Sequence, residues 1–411
     1  MKLLHFADAH IGTENHGRID PASGLHSRLL DFVRSLSSLV DFAIEEKVDA
    51  VLFAGDAYRS HDPNPTQQRE FARQIQRLSA AGIPLAMVVG NHDQPVAHGR
   101  ATSLDIFRTL QVAGVSVFHR PGLRVIETAA GPLQVVGIPW PQRSMLLTKE
   151  EYRQLGDEEI TLRIEQILTA LIEDFAERLQ PGVPAVLLGH LAAATAVYSG
   201  SERTALIGRE PVLLPSVLGN PAFSYVALGH VHRFQDLNRG QQPPVVYSGS
   251  IDRVDFGEEE EPKGFCLVEI DEQLQATYRL EQLSVRPFRT IRVVIGEDED
   301  PTARLLQEIA AAQVDDAVVR LLYTISDERL PLLDMRAVQE ALADAFLVSQ
   351  ISREQVPSER LRRAEVSRDL SLQEALDRYL LNHPELSKDK DDLKAYAAKL
   401  EDIWWQEVRQ R

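Results

Sequence analysis

Short apolar runs that end at a glycine recur along the first 230 positions of the chain. Each of four runs is followed by glycine and then by a polar residue; they are residues 50–54, 84–89, 185–188 and 226–228. A fifth run, residues 3–7, leads directly into Asp8. Continuous apolar runs of this length are typical of strands that are covered on both faces of a sheet. The pattern therefore predicts buried strands whose carboxyl ends carry polar side chains.

Helical periodicity fills the intervals between the first of these strands. Apolar positions spaced three or four apart predict three helices, over residues 26–46, 66–81 and 104–112. Alternation of strand and helix is typical of a largely parallel sheet. Closely spaced strands are then expected at residues 115–119, 123–127 and 133–138. These strands favour a mixed sheet, and a longer helical pattern over residues 148–179 follows, with a break expected at Gly156.

The length of 411 residues exceeds what one ordinary core organises, so several domains are expected. The periodicity predicts four segments: a first domain at 1–280, a small α+β domain at 285–352, a charged linker at 353–370 and a helical segment at 371–411. The last helix carries the adjacent pair Trp404 and Trp405. Because tryptophan is enriched at interface hot spots, this helix is expected to bind a partner protein.

The net charge of −17 argues at first against a polyanionic partner. Its distribution weakens that objection, since residues 1–120 carry 12 basic and 13 acidic side chains. The acidic excess lies mostly later in the chain, and part of it is the run 258–261, which is expected to form a solvated turn. Two bound divalent cations would add positive charge where the first segment carries its polar residues.

Composition also bears on the compartment. There is no apolar stretch of about 18 residues, so no membrane span is expected. No signal-peptide pattern precedes the first strand. The single cysteine, Cys266, cannot form an internal disulfide and is expected to be a buried strand residue. Together these features favour a cytoplasmic protein.

The polar residues at the strand ends are of metal-ligand type. The candidate ligands are Asp8, His10, Asp56, Asn91, His190, His230 and His232. In open α/β sheets the binding crevice lies outside the carboxyl ends of the strands, where these side chains are expected to gather. So many ligands exceed the need of one ion, which favours two ions with a shared carboxylate. The mixture of oxygen and imidazole donors suits manganese, iron or zinc better than calcium.

These residues stand in a recognisable order. Asp8-x-His10, Gly55-Asp56, Gly90-Asn91-His92-Asp93, Gly189-His190 and Gly229-His230-x-His232 resemble the five motifs of the calcineurin-like metallophosphoesterases. Within that superfamily, Tyr247-Ser248-Gly249-Ser250-Ile251 and Asp255-Phe256-Gly257-Glu258 resemble the nuclease subunits of bacterial SbcCD double-strand-break repair complexes. The resemblance implies an α/β fold, α+β overall. It further implies a four-layer αββα sandwich with a small α+β capping domain and a C-terminal helical tail.

The resemblance also implies roles for single residues. Asp8, His10 and His232 would hold one ion, and Asn91, His190 and His230 the other, with Asp56 bridging the two. Mn²⁺ is the ion that the family implies. His92 would be the general acid; the alternative is a supporting residue that Asp93 orients. Where the family often has a second histidine, this chain has Arg59, and His61 lies two positions farther on, so either side chain is a candidate to face the substrate.

The implied partners are DNA, a second copy of the chain and an ATPase. Candidate contacts to DNA phosphates are Arg18, Arg59, Arg100 and Arg143, all in loops near the motifs. The resemblance implies a homodimer through the helices at 66–81 and 104–112, and binding of an SbcC-type, SMC-like ABC ATPase by the C-terminal helices. No Gly-x-x-x-x-Gly-Lys-Ser/Thr motif occurs, which assigns ATP binding to that partner.

Three functions remain to be compared. The first is a Mn-dependent DNA nuclease, a double-strand 3′–5′ exonuclease and a single-strand or hairpin endonuclease, acting by in-line attack of water at two metals. The second is a calcineurin-like phosphodiesterase or phosphatase acting on a small molecule or a phosphoprotein. In protein phosphatases the second motif is followed by Asp-Arg-Gly, whereas this chain has Ala57-Tyr58-Arg59 at that place. The third, a non-catalytic scaffold, would be favoured by lost ligands, and none is lost.

Overall fold

The structure, a computed structural model, describes residues 1–95, 99–142, 155–200, 210–354 and 393–394. The chain divides into two compact units. The first unit comprises Met1–Ile291, Ala312–Arg320 and Leu342–Gln350. The second comprises Arg292–Ala311, Leu321–Ala341 and the chain from Ile351 onward. Nearly all of the expected helical tail, including Trp404 and Trp405, and most of the expected linker lie outside the described residues.

The described chain contains mixed helices and strands. The strands are β1 (Lys2–Phe6), β2 (Ala50–Phe53), β3 (Leu85–Val88), β4 (Val115–Phe118), β5 (Gly122–Thr128), β6 (Gly131–Ile138), β7 (Ala185–His190), β8 (Ala192–Ala193), β9 (Val212–Leu213), β10 (Tyr225–Gly229), β11 (Gln235–Asp236), β12 (Val245–Tyr247), β13 (Gly264–Ile270), β14 (Ala276–Gln282), β15 (Phe288–Val294), β16 (Val318–Thr324) and β17 (Leu347–Arg353). The helices are α1 (Ser27–Glu45), α2 (Pro65–Ala80), α3 (Asp105–Thr109), α4 (Asp157–Glu177), α5 (Pro215–Leu218), α6 (Pro301–Ala311) and α7 (Met335–Ala341).

Two six-stranded sheets dominate the first unit. The first has the order β14-β13-β1-β2-β3-β4, and the second β11-β12-β10-β7-β6-β5. Strands β1 to β4 are parallel, and β13 joins antiparallel to β1. In the second sheet β6, β7, β10 and β12 are parallel, with β5 and β11 antiparallel at the edges. The carboxyl ends of the central strands of each sheet therefore gather along one edge.

Alternating side chains of these strands build three apolar layers. On the first sheet Leu4 and Val51 face a core that contains residues of α1 and α2. Their neighbours Leu3 and Leu52 face the opposite way, into a core shared with the second sheet. The far side of the second sheet packs against α4. This arrangement is the predicted four-layer αββα sandwich, and burial on both faces explains why the strands are continuous apolar runs.

The helices begin and end close to the predicted positions. Asn64 caps α2 by accepting from the backbone N–H of Thr66 and of Gln67, and the Gln67 side chain returns a bond to the N–H of Asn64. Gly156, where a break is expected, directly precedes α4. The part of that predicted helix before Leu155 lies outside the described residues. The helix predicted over 104–112 is shorter, since α3 has only five residues.

Several elements depart from the sequence pattern or lie beyond the sandwich. Strand β14 is not predicted, because only Ala276 in it is buried and its apolar signal is weak. Cys266 is buried in β13, as expected. Strands β15, β16 and β17 form a separate three-stranded sheet, with α6 and α7 between them in sequence. Within the part of the chain that the structure describes, no helix is long and apolar enough to cross a bilayer.

Candidate metal centre

The ends of five strands bring together all seven candidate ligands. Asp8, Asp56 and Asn91 follow β1, β2 and β3 in the first sheet. His190 ends β7 and His230 follows β10, both in the second sheet. Three groups have potential ligand atoms that all lie within 4.8 Å of one another: Asp8, His10 and His232; His10, Asp56 and His92; and Asp8, Asp56 and His190. Hydrogen-bond distances place Asn91 beside His190 and His230. The candidate ligands therefore lie together at the carboxyl ends of the parallel strands, as predicted.

At this edge the backbone has positive φ angles, a conformation that residues other than glycine rarely adopt. The φ angles of Asp8, His10 and Asp56 are 51°, 39° and 60°, and that of His230 is 103°. Backbone hydrogen bonds hold the first two loops together, from the N–H of Asp8 to Gly55 and from that of His10 to Asp56. Strain of this kind is typical of functional sites, where the surrounding fold enforces it.

The first group of ligands consists of Asp8, His10 and His232. Nε2 of His10 lies 2.9 Å from Nε2 of His232 and 3.9 Å from Oδ1 of Asp8. The Asp8 carboxylate also accepts from the backbone N–H of His230, at 3.0 and 3.2 Å. All three side chains of the group are buried.

The second group consists of Asn91, His190 and His230. Oδ1 of Asn91 lies 2.8 Å from Nε2 of His190 and 3.3 Å from Nδ1 of His230. Nδ1 of His190 donates to the backbone oxygen of Ala54 at 2.7 Å, which leaves its Nε2 facing the group. The ring of Trp140 lies against His230, with 4.6 Å between the ring centroids.

Asp56 lies between the two groups. Its Oδ2 is 3.8 Å from Nε2 of His10 in the first group and 3.6 Å from Nε2 of His190 in the second. Its Oδ1 accepts from the backbone N–H of His92 at 2.9 Å. The position of this one carboxylate therefore allows it to serve both groups.

Burial shifts the pKa of Asp56, His10 and His190. Burial, together with the nearby Asp93 and Asp8 carboxylates, raises the pKa of Asp56 well above its usual value. Burial also lowers the pKa of His10 and of His190 well below the ordinary histidine value, with neighbouring histidines adding to the effect. The site thus combines neutral imidazoles with crowded carboxylates, and a bound cation would relieve that crowding.

The spacing of the donor atoms fits divalent cations. Two ligand atoms at right angles around a cation, each bonded at about 2.1 Å, lie about 3 Å apart. The His10–His232 and Asn91–His190 separations, 2.9 and 2.8 Å, match this value. Nitrogen and oxygen donors on both sides of a shared carboxylate fit a binuclear metal site.

His92 stands at the edge of the site. Its Nδ1 lies 2.9 Å from the backbone oxygen of Arg59, to which it donates, so Nε2 is directed toward Asp56 at 3.9 Å. Its ring is 5.0 Å from that of His10. Burial and the Arg59 charge lower the pKa of His92 to about 4, which leaves the ring neutral at neutral pH.

Asp93 has different neighbours from those that the sequence suggests. Its carboxylate is fully buried and accepts from the backbone N–H groups of Asp56, Gly90 and Ala57, each at 3.0 Å. The hydroxyl of Ser103 adds a fourth bond at 3.2 Å. Burial raises its pKa. These bonds hold the Asp93 carboxylate against the loop that carries Asp56.

The basic candidates have different surroundings. Nη1 of Arg59 is 3.5 Å from Nδ1 of His92, whereas His61 is exposed on the loop beyond it. The guanidinium of Arg18 lies over the ring of Phe346, and Arg100 lines a cavity of about 840 Å³. Arg143 lies outside the described residues.

Two carboxylates near the ligands were missed from the sequence. Glu258 is 1% exposed and lies 2.8 Å from Nδ1 of His232, so the expectation of a solvated turn is wrong at this position. Burial opposes its charge, but Lys263 and His232 outweigh burial and lower the pKa of Glu258. Glu210 lies 3.0 Å from Nε2 of His230. No spacing rule points to either residue, although Glu258 belongs to the Asp-Phe-Gly-Glu motif.

Comparison with known proteins agrees with this geometry. The family model described as calcineurin-like phosphoesterase matches residues 1–234. The chain is 27% identical over 284 residues to a protein of Bacillus subtilis named as an SbcCD nuclease subunit, covering 68% of each chain. The Rhodobacter capsulatus protein of that name is 31% identical over 265 residues (61% of this chain, 62% of the relative). That of Staphylococcus epidermidis is 26% identical over 307 residues (73% and 74%). The chain belongs to the calcineurin-like phosphoesterase family.

Proposed function

We propose that this protein is a metal-dependent DNA nuclease that hydrolyses phosphodiester bonds. The observation that carries the proposal is the pair of ligand groups joined by Asp56, in a chain whose similar proteins are named as SbcCD nuclease subunits. Two cations that share a carboxylate are typical of enzymes that cleave phosphate esters. A binding module would have no need of two such groups.

In this proposal each group holds one cation. Asp8, His10 and His232 would hold the first, Asn91, His190 and His230 the second, and Asp56 would contact both. When bound, the two ions neutralise charge on the phosphoryl oxygens and lower the pKa of a water that attacks in line. Mn²⁺ is the proposed ion, because mixed imidazole and oxygen donors suit it.

His92 is proposed as the proton donor to the leaving sugar oxygen. Its Nδ1 is engaged by the backbone oxygen of Arg59, so Nε2 is the atom that can exchange a proton with the substrate. The ring is neutral in the free protein, because its pKa is about 4. A negatively charged phosphodiester beside the ring favours its protonated form, which then transfers the proton as the bond breaks.

Basic side chains around the site would contact the DNA backbone without reading its sequence. Arg59 is the nearest candidate, since it is exposed and lies beside His92, which favours it over His61 as the residue that faces the substrate. Arg18 and Arg100 are exposed as well. For Arg143, the proposed contact to DNA phosphates rests on the sequence alone.

The wider assembly is proposed from the sequence and from the names of the relatives. Residues 1–280 would be the nuclease domain and 285–352 a capping domain that also binds DNA. The linker 353–370 would lead to helices at 371–411 that bind an SbcC-type, SMC-like ABC ATPase. A homodimer would form through α2 and α3; Ile106 in α3 is 49% exposed, and Leu110, which directly follows α3, is 67% exposed. The complex would act in the cytoplasm on double-strand breaks and hairpins.

The test uses the full chain with end-labelled duplex DNA and hairpin DNA, in Mn²⁺, in Mg²⁺ and in a chelator, with and without the ATPase partner and ATP. We expect cleavage from duplex ends and at the hairpin, dependent on the metal, and abolished in Asp56→Ala. A 3′ label and a 5′ label on separate strands establish the expected 3′–5′ polarity. Absence of DNA cleavage under all these conditions would overturn the proposal.

The second candidate, a phosphodiesterase or phosphatase for small molecules or phosphoproteins, is compared in the same experiment. A cyclic nucleotide and a phosphopeptide replace the DNA at equal concentration. Turnover of either one that exceeds the turnover of DNA, and that is lost in Asp56→Ala, would favour this candidate instead. The metal groups would serve both reactions, so the substrate is what separates them.

A further inference from the structure

Glu258 is a buried carboxylate that sits behind a candidate metal ligand. It ends a short 3₁₀ turn, Phe256–Glu258, and is 1% exposed. Its Oε1 lies 2.8 Å from Nδ1 of His232. On the other side of the same ring, Nε2 of His232 lies 2.9 Å from Nε2 of His10. The imidazole is therefore held between the Glu258 carboxylate and His10, another member of the same ligand group.

The other oxygen of Glu258, Oε2, faces three hydrogen-bond donors, of which the hydroxyl of Ser250 is the most distant at 3.4 Å. Nζ of Lys263 lies 2.8 Å from Oε2, and the backbone N–H of Val254 donates to the same atom at 3.0 Å. Lys263 is itself 1% exposed, and its Nζ also donates to the backbone oxygen of His232 at 3.1 Å. A buried charge is tolerated when it is paired and hydrogen-bonded, as this one is. Lys263 thus ties Glu258 to the strand end that carries the ligand.

This arrangement selects one tautomer of His232. A carboxylate with donors on one oxygen can only accept at the other, so Nδ1 must carry the proton that bonds to Oε1. Nε2 then has its lone pair directed toward His10. An imidazole whose far nitrogen donates to a carboxylate is also a more basic ligand at its near nitrogen.

We propose that Glu258, clamped by Lys263, is a positioning residue for His232, which it holds with the proton on Nδ1 and Nε2 presented as a metal-ligand atom. The inference rests on the proposed metal-dependent function for its purpose, but the tautomer itself is a property of the metal-free protein. Glu258 touches neither substrate nor ion in this role.

The variant Glu258→Gln should reverse the tautomer of His232. Gln has the shape of Glu, but one of its two acceptor oxygens becomes an NH₂ donor. Because Lys263 and the N–H of Val254 both donate on the far side, the amide oxygen turns toward them and the NH₂ turns toward Nδ1 of His232. Nδ1 must then accept, which moves the ring proton to Nε2. The wrong tautomer would place a hydrogen where a ligand lone pair is needed.

Glu261→Gln is the matched control. Glu261 also contacts Lys263, with 3.2 Å between its Oε2 and Nζ, and its side chain is mostly buried. Its Oε2 accepts from the hydroxyl of Ser199 at 3.3 Å. The control removes the same charge beside the same lysine and leaves the bond between Glu258 and His232 in place.

The direct measurement is ¹⁵N NMR of the histidine rings in the full chain without metal, with the His232 signals assigned by their loss in His232→Ala. We expect the proton on Nδ1 in the wild type and in Glu261→Gln, and on Nε2 in Glu258→Gln. A wild-type His232 that carries its proton on Nε2 would overturn the inference without any variant, so the test holds even if Glu258→Gln fails to fold.

The second measurement is calorimetric titration of Mn²⁺ alone into the same three proteins. Affinity for one of the two ions, the one that the group containing His232 would hold, should fall about 10–100-fold in Glu258→Gln and stay near the wild-type value in Glu261→Gln. Equal affinities in the two variants, with unchanged tautomers, would contradict the proposal. If the tautomer and the affinity behave as expected but no DNA is cleaved, the proposed function fails and the positioning role stands.

Discussion

Oδ2 of Asp93 lies 3.0 Å from the backbone nitrogen of Asp56, and this bond joins the loop after β3 to the loop after β2. The same oxygen accepts from Gly90, and Oδ1 accepts from Ala57 and Ser103. One buried carboxylate therefore sets the position of the residue that both ligand groups share. Because no solvent replaces these bonds when they are broken, their loss should be costly.

Asp93→Asn should destabilise the protein and disturb Asp56. One oxygen becomes an NH₂ group that faces backbone N–H donors, which costs about 2–3 kcal/mol. The comparison is Ser103→Ala, which removes one bond to the same carboxylate and should cost about 1 kcal/mol. Urea unfolding in a chelator measures both, and equal midpoints for the two variants would contradict the positioning role.

Gly90→Ala should impair metal binding. A Cβ at this position would lie 2.0 Å from Oδ1 and 2.5 Å from the backbone nitrogen of Asp56, so the shared carboxylate must move. We expect Mn²⁺ affinity to fall at least about tenfold, as for changes that displace a ligand. Gly122→Ala is the control, because the nearest atom to its Cβ is 3.9 Å away. Unchanged affinity in Gly90→Ala would show that the loop relaxes at no cost.

His92→Ala should separate metal binding from hydrolysis. Its Nε2 is directed toward Asp56 from 3.9 Å, but the proposed ligand groups are complete without it. We expect unchanged Mn²⁺ stoichiometry and a kcat for DNA cleavage lower by about 10²–10⁴-fold, the usual contribution of a general acid. His61→Ala, at an exposed position of the neighbouring loop, should cleave DNA at close to the wild-type rate. Equal losses in the two variants would contradict the assignment of the proton donor.

His5 should make the protein sensitive to acid. It is fully buried between the two sheets, where Nδ1 lies 3.0 Å from the hydroxyl of Tyr225, and burial lowers its pKa from 6.5 to about 3. The unfolded chain therefore binds a proton that the folded chain excludes, and stability falls as pH drops from about 6.5 toward 3. Between pH 7 and pH 5 the loss is about 2 kcal/mol.

The measurement compares urea midpoints at pH 7 and pH 5, in a chelator, for wild type, His5→Gln and the exposed His61→Gln. Other buried histidines shift with the same sign in all three proteins, so the difference isolates His5. His5→Gln should lose less stability on acidification than either of the others. The same pH dependence in all three would show that His5 does not contribute.

Local patterns were enough to predict the central strands and the types of the candidate ligands. Leu3 and Leu4 are both apolar because the sheet is covered on both faces. Every central strand needs apolar side chains at successive positions for the same reason. Strand β14 escaped prediction because it lies at an edge, where only Ala276 is buried and the sequence carries little signal. The strands that are buried on both faces were therefore predicted from the sequence, and the exposed edge strand was not.

The sequence by itself determined which residues are ligand candidates and that they lie at strand ends, because parallel strands deliver their carboxyl ends to one edge. Only the tertiary structure decided that Asp56 lies between the two groups, that Asp93 binds the Asp56 loop, and that Glu258 is buried behind His232. Each of these depends on distances between segments far apart in the chain. Whether a carboxylate is solvated or buried is set by partners such as Lys263, and no local pattern encodes that pairing.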